Sequence, residues 1–287
     1  MTDILSSISN LEEKEFTYLK DIVYKETGIF LAAHKRIMLQ SRLNIRLRIN
    51  KIVNFEKYVH ELKSSPSFYQ KEILEIINRV TTNKTDFFRE NHHFEYLKNK
   101  YLPEVERNTR QTYSPKKLRF WCSACSTGEE PYSLAIVLRE FFQGKSGWDI
   151  KIYASDIDTN VLQTASEGVY KQDRMATIRR DLLAKYFVEN NDSESKTYTA
   201  KADLKSLIQF QKLNLLQSPL PIHEKIDVIF CRNVIIYFDK PTQQKLFAEI
   251  SRVMQKNGIL IIGHSETLFG ISDNFKFLGQ TIYQKNS

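Results

Sequence analysis

A chain of 287 residues has room for one large domain or two smaller ones, and 41% hydrophobic content with 18 Phe and 14 Tyr supports a real core. The net charge of +8 favours an anionic partner without choosing among nucleic acid, a membrane surface and an acidic protein. Three cysteines argue against a disulfide framework and for a reducing cytoplasm; no apolar run approaches the roughly 20 residues of a membrane helix, and residues 1–6 lack the basic-then-apolar pattern of a signal peptide.

Residues 11 to about 78 read as short helices. Leu11, Phe16, Leu19 and Val23 fall at helical spacing, and Gly28 suits a left-handed cap at that helix's end. A second helix is expected from about Ala33 to Ile49, with further helices over Phe55–Lys63 and Phe68–Val80. On the second, Lys35, Arg42 and Arg46 fall within about 40° of one line, beside an apolar stripe of Leu39, Leu43 and Leu47. Arg48 and Lys51 extend the charge. This face is either a docking surface for an acidic partner or a solvated surface.

From Leu118 the pattern changes to strands alternating with helices. Strands are expected at Leu118–Cys122, Ile150–Ser155, Ile226–Cys231 and Ile259–Gly263, and helices at Pro131–Phe142, Thr159–Glu167 and Pro241–Met254. That alternation implies an α/β fold with a doubly wound, mostly parallel sheet covered on both faces. Phe275–Phe277 and Thr281–Gln284, joined by Gly279, read as a closing antiparallel hairpin. Residues 171–213 break the alternation; with Lys196–Ala200 and Leu207–Gln211 as short strands, they read as a small inserted antiparallel unit.

The turn Ser123–Glu130 carries the most chemistry. A dinucleotide enzyme needs Gly-x-Gly-x-x-Gly so that a pyrophosphate can sit on the helix N-terminus. Only Gly128 is present, and Glu129 and Glu130 would repel a pyrophosphate. S-adenosylmethionine has no phosphate and carries an ammonium, which two acids suit; the plainer alternative is that both glutamates complement the helix dipole. Asp156 ends the second strand, where an acid accepts from ribose hydroxyls, and Asp158 suits a cap on the helix from Thr159. Arg232, Asn233 and Tyr237 follow the next core strand, placed to orient an anionic acceptor, and the Asn-Pro-Pro-Tyr pattern of N-methylation is missing. Asn83, Thr85 and Arg89 are polar residues at the junction of the two parts. Cys122-Ser-Ala-Cys125 starts in a strand, unlike a redox pair at a helix start, and no metal site is expected from it with Cys231 and His264 or from His92-His93.

Together these segments resemble the bacterial chemotaxis receptor methyltransferases of the CheR type, over nearly the whole chain and in motif order. The matching runs are Thr27-Gly-Ile-Phe-Leu with Ser41–Arg48, Asn83–Glu90, Cys125–Ser133, Ala154–Asp158, Leu213–Leu216, Cys231–Val234 with Tyr237, and Gly263–Glu266. The resemblance implies a Rossmann-like methyltransferase sheet with the C-terminal hairpin, a small inserted β-subdomain at about 171–213 and an N-terminal all-helical domain. It divides the chain into a receptor-docking domain, 1–78, and a methyltransferase domain, 79–287, with a linker at about 79–95.

It further implies that Asn83, Thr85, Arg89, Glu129 or Glu130, Asp156, Asn214, Leu215, Arg232 and Asn233 line the S-adenosylmethionine site, whose product is S-adenosylhomocysteine. Arg89 and Tyr237 would sit nearest the methyl group, and Lys35, Arg42, Arg46 and Arg48 would dock the receptor. The implied reaction is methyl transfer to glutamate carboxylates of chemoreceptors. In some relatives the β-subdomain grips a receptor peptide tether; the loop Glu189–Glu194 has no glycine, which argues against that here. A cytoplasmic monomer is expected, with no nucleic-acid partner and no membrane insertion. The alternatives are an RNA or small-molecule methyltransferase, or a non-catalytic sensor of the cofactor.

Overall fold

The computed structural model describes residues 9–112, 116–191 and 196–286, so the N-terminal residues 1–6 and residues 192–194 of the loop Glu189–Glu194 lie outside the described residues. The chain forms two compact units, Met1–Thr82 with Tyr237–Thr242, and Asn83–Ile236 with Gln243–Ser287. Among the described residues no helix is long and apolar enough to cross a membrane.

The first unit holds α1 (Glu13–Thr27), α2 (Arg36–Ile49), α3 (Phe55–Ser64) and α4 (Pro66–Val80). Gly28, at φ 74°, caps α1 by donating its N–H to the Tyr24 carbonyl, as expected. Asn54 accepts from Lys57 N at the start of α3, and Ser65 does the same for Phe68 N before Pro66 opens α4. Leu39, Leu43 and Leu47 are buried with Phe16, Leu19, Tyr58 and Ile76. The segment 237–242 joins this unit: Phe30 N donates to the Tyr237 carbonyl at 2.9 Å, and Tyr24 Oη donates to Asp239 Oδ2 at 2.7 Å.

The basic line on α2 does not form one surface. Arg46 is only 5% exposed. Its Nε and one terminal nitrogen donate to the two oxygens of Glu72 at 3.1 and 2.6 Å, and the other reaches Glu75 at 2.9 Å. Tyr58 Oη adds a bond to Glu72 at 2.8 Å. Arg46 is therefore a buried counter-ion rather than a docking residue, because the same helical turn that carries Leu43 and Leu47 inward carries it too. Arg42 donates to the carbonyls of Arg79, Val80 and Thr81 at 3.2, 2.6 and 2.9 Å, closing the C-terminus of α4. Lys35, just before α2, and Arg48 on it remain exposed, as do Ile37 (74%), Ile45 and Ile49.

The second unit begins with α5 (His92–Tyr96), which runs through a π-helical turn into α6 (Leu102–Thr112). There follow β1 (Lys117–Cys122), α7 (Glu129–Phe141), β2 (Asp149–Asp156), α8 (Thr159–Glu167), β3 (Val169–Lys171), α9 (Arg180–Tyr186), β4 (Phe187–Asn191), β5 (Lys196–Ala200), α10 (Ala202–Lys205) and β6 (Ile208–Lys212). The chain closes with β7 (Ile226–Cys231), α11 (Lys240–Val253), β8 (Met254–Ile262), β9 (Phe275–Gly279) and β10 (Ile282–Lys285). The main sheet has the order β6-β2-β1-β7-β8-β10-β9, parallel from β6 to β8 and antiparallel at β10 and β9. Its central strands are buried on both faces, as Phe120, Trp121, Ile152, Phe230 and Ile261 show.

The expected core strands and closing hairpin are present, but one expectation needs correcting. The strand placed at Leu207–Gln211 in the inserted unit is β6, and it pairs in parallel with β2 at the edge of the main sheet. Its Phe210 ring lies 6.1 Å from that of Tyr132 on α7, so packing on the main core decides where the strand goes. The inserted sheet is β3-β5-β4 alone, antiparallel throughout.

Candidate active site

The carboxyl ends of β1, β2, β7 and β8 gather four short loops at the place where β1 and its neighbours switch direction of winding. After β1 the backbone doubles back: Ser123 N donates to the Phe230 carbonyl and Cys125 N to the Ser155 carbonyl, both at 2.9 Å. Gly128 sits at φ 97°, and a Cβ there would lie 2.8 Å from Tyr170 Oη and 2.9 Å from Ala165 Cβ. Only glycine fits that turn, which sets Glu129 and Glu130 on the first turn of α7.

Asp156, at the end of β2, accepts from Ser126 N at 2.8 Å through one oxygen and from Asp158 N at 3.0 Å through the other. Burial pushes its carboxyl upward, against the pull of those two N–H groups. Among the described residues no cation pairs with it, so hydroxyl donors from a ribose find free lone pairs there. Asp158 caps α8 through Asn160 N at 2.9 Å, as expected, and its other oxygen accepts from Asn83 Nδ2 at 2.8 Å.

Each glutamate of the turn has its own arginine. Glu129 is buried and paired with Arg174, while Thr127 Oγ1 donates to its second oxygen at 2.6 Å. Arg174 also donates to the Thr85 carbonyl at 2.5 Å, so Thr85 is held through its backbone. Glu130 accepts from Arg232 at 2.9 Å, and burial raises its carboxyl even against that charge.

Arg232 is the centre of the network. Its guanidinium reaches Glu130, the Arg89 carbonyl at 2.5 Å and Glu90 at 3.2 Å, with the rings of Phe94 and Phe230 at 5.9 and 6.0 Å. Asn233 adopts φ 56°, and its Nδ2 donates to Glu90 at 3.2 Å. Burial alone would raise Glu90, but hydrogen bonding from His264 and the charge of Arg232 hold it at about 2. Burial and the same arginine hold His93 neutral, at about 3. Leu213 N donates to the Asp156 carbonyl at 3.0 Å, which sets Asn214 and the buried Leu215 beside β2.

The second unit thus brings together Asn83, Thr85, Arg89, Glu129, Glu130, Asp156, Asn214, Leu215, Arg232 and Asn233. Arg89 keeps its guanidinium partly exposed and donates to the Lys84 carbonyl at 2.8 Å. Tyr237 belongs to the first unit and is not among them.

Sequence reasoning gave no role to Glu90, Arg174, His264 or Glu266. Glu90 and Glu266 lie inside quoted motifs, and Glu90 follows the predicted ligand Arg89, which was a usable signal; Arg174 stands in a charged stretch with no local signal. The three cysteines are free and buried, and burial pushes Cys122 and Cys125 well up, away from thiolate chemistry. Among the described residues no group of three or more His, Cys, Asp or Glu is placed to hold a metal ion.

Residues 14–81 match the family model for CheR methyltransferase, all-alpha domain, and residues 83–284 the one for CheR methyltransferase, SAM binding domain. The chain is 36% identical over 278 residues to a chemotaxis protein methyltransferase of Borreliella burgdorferi, covering 96% of each. It is 38% identical over 273 residues to a chemotaxis protein methyltransferase of Klebsiella aerogenes, covering 95% of this chain and 90% of that one. To chemotaxis protein methyltransferase 2 of Pseudomonas aeruginosa it is 38% identical over 270 residues, covering 94% and 92%.

S-adenosylmethionine is the cofactor, and the residues fit it. Asp156 offers lone pairs to ribose hydroxyls, and among the described residues the buried Arg232 Nε has no hydrogen-bond partner, leaving a donor suited to a carboxylate. The chain belongs to the CheR methyltransferase family, and residues 83–284 are its cofactor-binding domain.

Proposed function

We propose that this methyltransferase esterifies glutamate side chains of chemoreceptors, producing glutamate methyl esters in the cytoplasm. When bound, the cofactor supplies an electrophilic methyl group on a sulfonium. Asn83, Thr85, Asp156, Asn214 and Leu215 would hold its nucleoside end, and Glu129, Glu130, Arg232 and Asn233 its amino-acid end.

The observation that carries the reading is that the glutamates facing Arg174 and Arg232 are engaged by those arginines. Glu129 pairs with Arg174, Glu130 with Arg232, and Glu90 is held at about 2, while His93 is held at about 3. Neither Glu90 nor His93 is therefore poised to take a proton near neutral pH. An acceptor that is already ionised needs no base, and a free glutamate, with pKa about 4.3, is such an acceptor. Catalysis then rests on alignment and the exclusion of water. Arg89, partly exposed, holds the acceptor carboxylate, and Tyr237 orients it. Lys35 and Arg48 on the first unit attract an acidic receptor surface. The names of the relatives support a chemotaxis substrate for this chain as well.

The test is incubation with methyl-labelled S-adenosylmethionine and receptor cytoplasmic fragments. Alkali-labile label that disappears when acceptor glutamates are changed to alanine is expected. Tight binding of S-adenosylhomocysteine with no label on any receptor fragment would overturn the reading.

A further inference from the structure

Two apolar side chains stand in water on the loops that follow β7 and β8. Phe269 is 92% exposed and Ile236 is 52% exposed. Single exposed apolar residues are common and by themselves need no explanation. These two differ in how they are mounted. Both loops lie at the carboxyl ends of adjacent parallel strands, β7 and β8, and Glu266 ties one loop to the other. Its carboxylate accepts from Gly263 N at 2.6 Å, Asn233 N at 2.9 Å and Ile235 N at 3.0 Å.

Each exposed residue follows a buried one that fixes it. Ile235 and Leu268 are both 2% exposed. Leu268 N donates to Tyr283 Oη at 3.4 Å, and its carbonyl accepts from Ile271 N at 3.0 Å and Ser272 N at 3.2 Å. Phe269 N donates to Thr267 Oγ1 at 3.1 Å. The ring is therefore held outward on a hydrogen-bonded turn, at no gain to the fold of the second unit.

We propose that Phe269, assisted by Ile236, is an apolar anchor for the acceptor polypeptide, gripping it while its carboxylate enters beside Arg89, whose carbonyl rests on Arg232 at the end of β7. The inference rests on the function proposed above. The occupant follows from the position of the loops: a polypeptide that presents a carboxylate to the ends of β7 and β8 must lie over these loops. If that segment is helical, residues three and four positions from the acceptor glutamate are its neighbours on the same face, and apolar ones among them meet the Phe269 ring. A rigid aromatic side chain is also the kind of residue that concentrates binding energy at an interface.

Initial rates of alkali-labile methyl transfer, measured over a range of receptor-fragment concentrations, test this in wild type, Phe269→Ala, Phe269→Tyr and Ile236→Ser. Calorimetry with S-adenosylhomocysteine runs alongside. Phe269→Ala is expected to raise the receptor KM about tenfold, with the larger share of the effect in KM rather than kcat. Ile236→Ser should give a smaller rise, and Phe269→Tyr, which keeps the ring, should stay near wild type. An unchanged receptor KM in Phe269→Ala overturns the anchor while leaving the proposed function standing. So does a KM rise matched by an equal loss of S-adenosylhomocysteine affinity, because the loop would then act through the cofactor. Absence of transfer by the wild type overturns the proposed function, and the anchor falls with it.

Discussion

Glu266 holds Asn233 in its left-handed turn: the carboxylate accepts the Asn233 N–H at 2.9 Å while the residue sits at φ 56°. A non-glycine residue pays to occupy that region, and the cost is offset by charge-assisted hydrogen bonds. The same oxygen accepts from Gly263 N, where a Cβ would lie 2.4 Å from Asn233 Nδ2 and 2.9 Å from Glu266 itself.

Glu266→Gln sets an amide where a carboxylate accepts three N–H groups, so at least one buried N–H loses its acceptor. The expected loss of stability is about 3 kcal/mol, read from urea unfolding. Affinity for S-adenosylhomocysteine should fall by about tenfold, because Arg232 and Asn233 lose their fixed approach. A variant with wild-type affinity would show that the turn holds its shape without the carboxylate.

Much of the fold was legible in the sequence because its signals are local. Apolar runs of strand length mark β1, β2 and β7, Gly28 and Asp158 mark helix ends, and Gly128 marks the turn after β1. What was not legible is long-range. Helical phase sets Arg46 nearer the Leu39–Leu43–Leu47 stripe than Arg48, but the Glu72 carboxylate that makes it a buried counter-ion arrives from α4. Likewise β6 has the short polar alternation of an inserted hairpin, and only its ladder with β2 sends it to the main sheet. Arg174 reaches Glu129 from 45 residues away in sequence.

The contrast between those two arginines is measurable. Arg46→Ala leaves Glu72 buried without its counter-ion and should cost about 3–5 kcal/mol. Arg48→Glu changes an exposed side chain and should alter stability by less than about 0.5 kcal/mol. It should instead raise the receptor KM, with an effect that shrinks as salt is added. A salt-independent KM for Arg48→Glu would remove α2 from the docking surface.

Acid stability should carry the signature of His93. Its folded pKa of about 3 lies below the ordinary histidine value, so the unfolded chain binds the extra proton first. Its contribution is fully present above about pH 6.5 and is lost as pH falls toward 3. Wild type minus His93→Gln isolates this group from the buried carboxylates, whose raised values act in the opposite direction. That difference should shrink by about 2 kcal/mol between pH 7.5 and pH 5. Below pH 4.5, Glu90 adds a further loss of the same sign, since its folded value of about 2 keeps it ionised longer than the unfolded chain. A difference curve flat from pH 7.5 to pH 5 would mean that His93 is not held neutral.

Arg89 and Tyr237 should separate in kinetics. Attack of a carboxylate on a sulfonium methyl cancels opposite charges, so a guanidinium beside the acceptor binds the ground state at least as well as the transition state. Such an interaction lowers KM more than it raises kcat. Arg89→Met is therefore expected to raise the receptor KM by about tenfold or more, with a smaller fall in kcat. The role proposed for Tyr237 is instead to align the attacking oxygen through its neutral hydroxyl. Tyr237→Phe should lower kcat by about tenfold and leave S-adenosylhomocysteine affinity within about twofold of wild type. An unchanged kcat in Tyr237→Phe would reassign orientation of the acceptor to Arg89 alone.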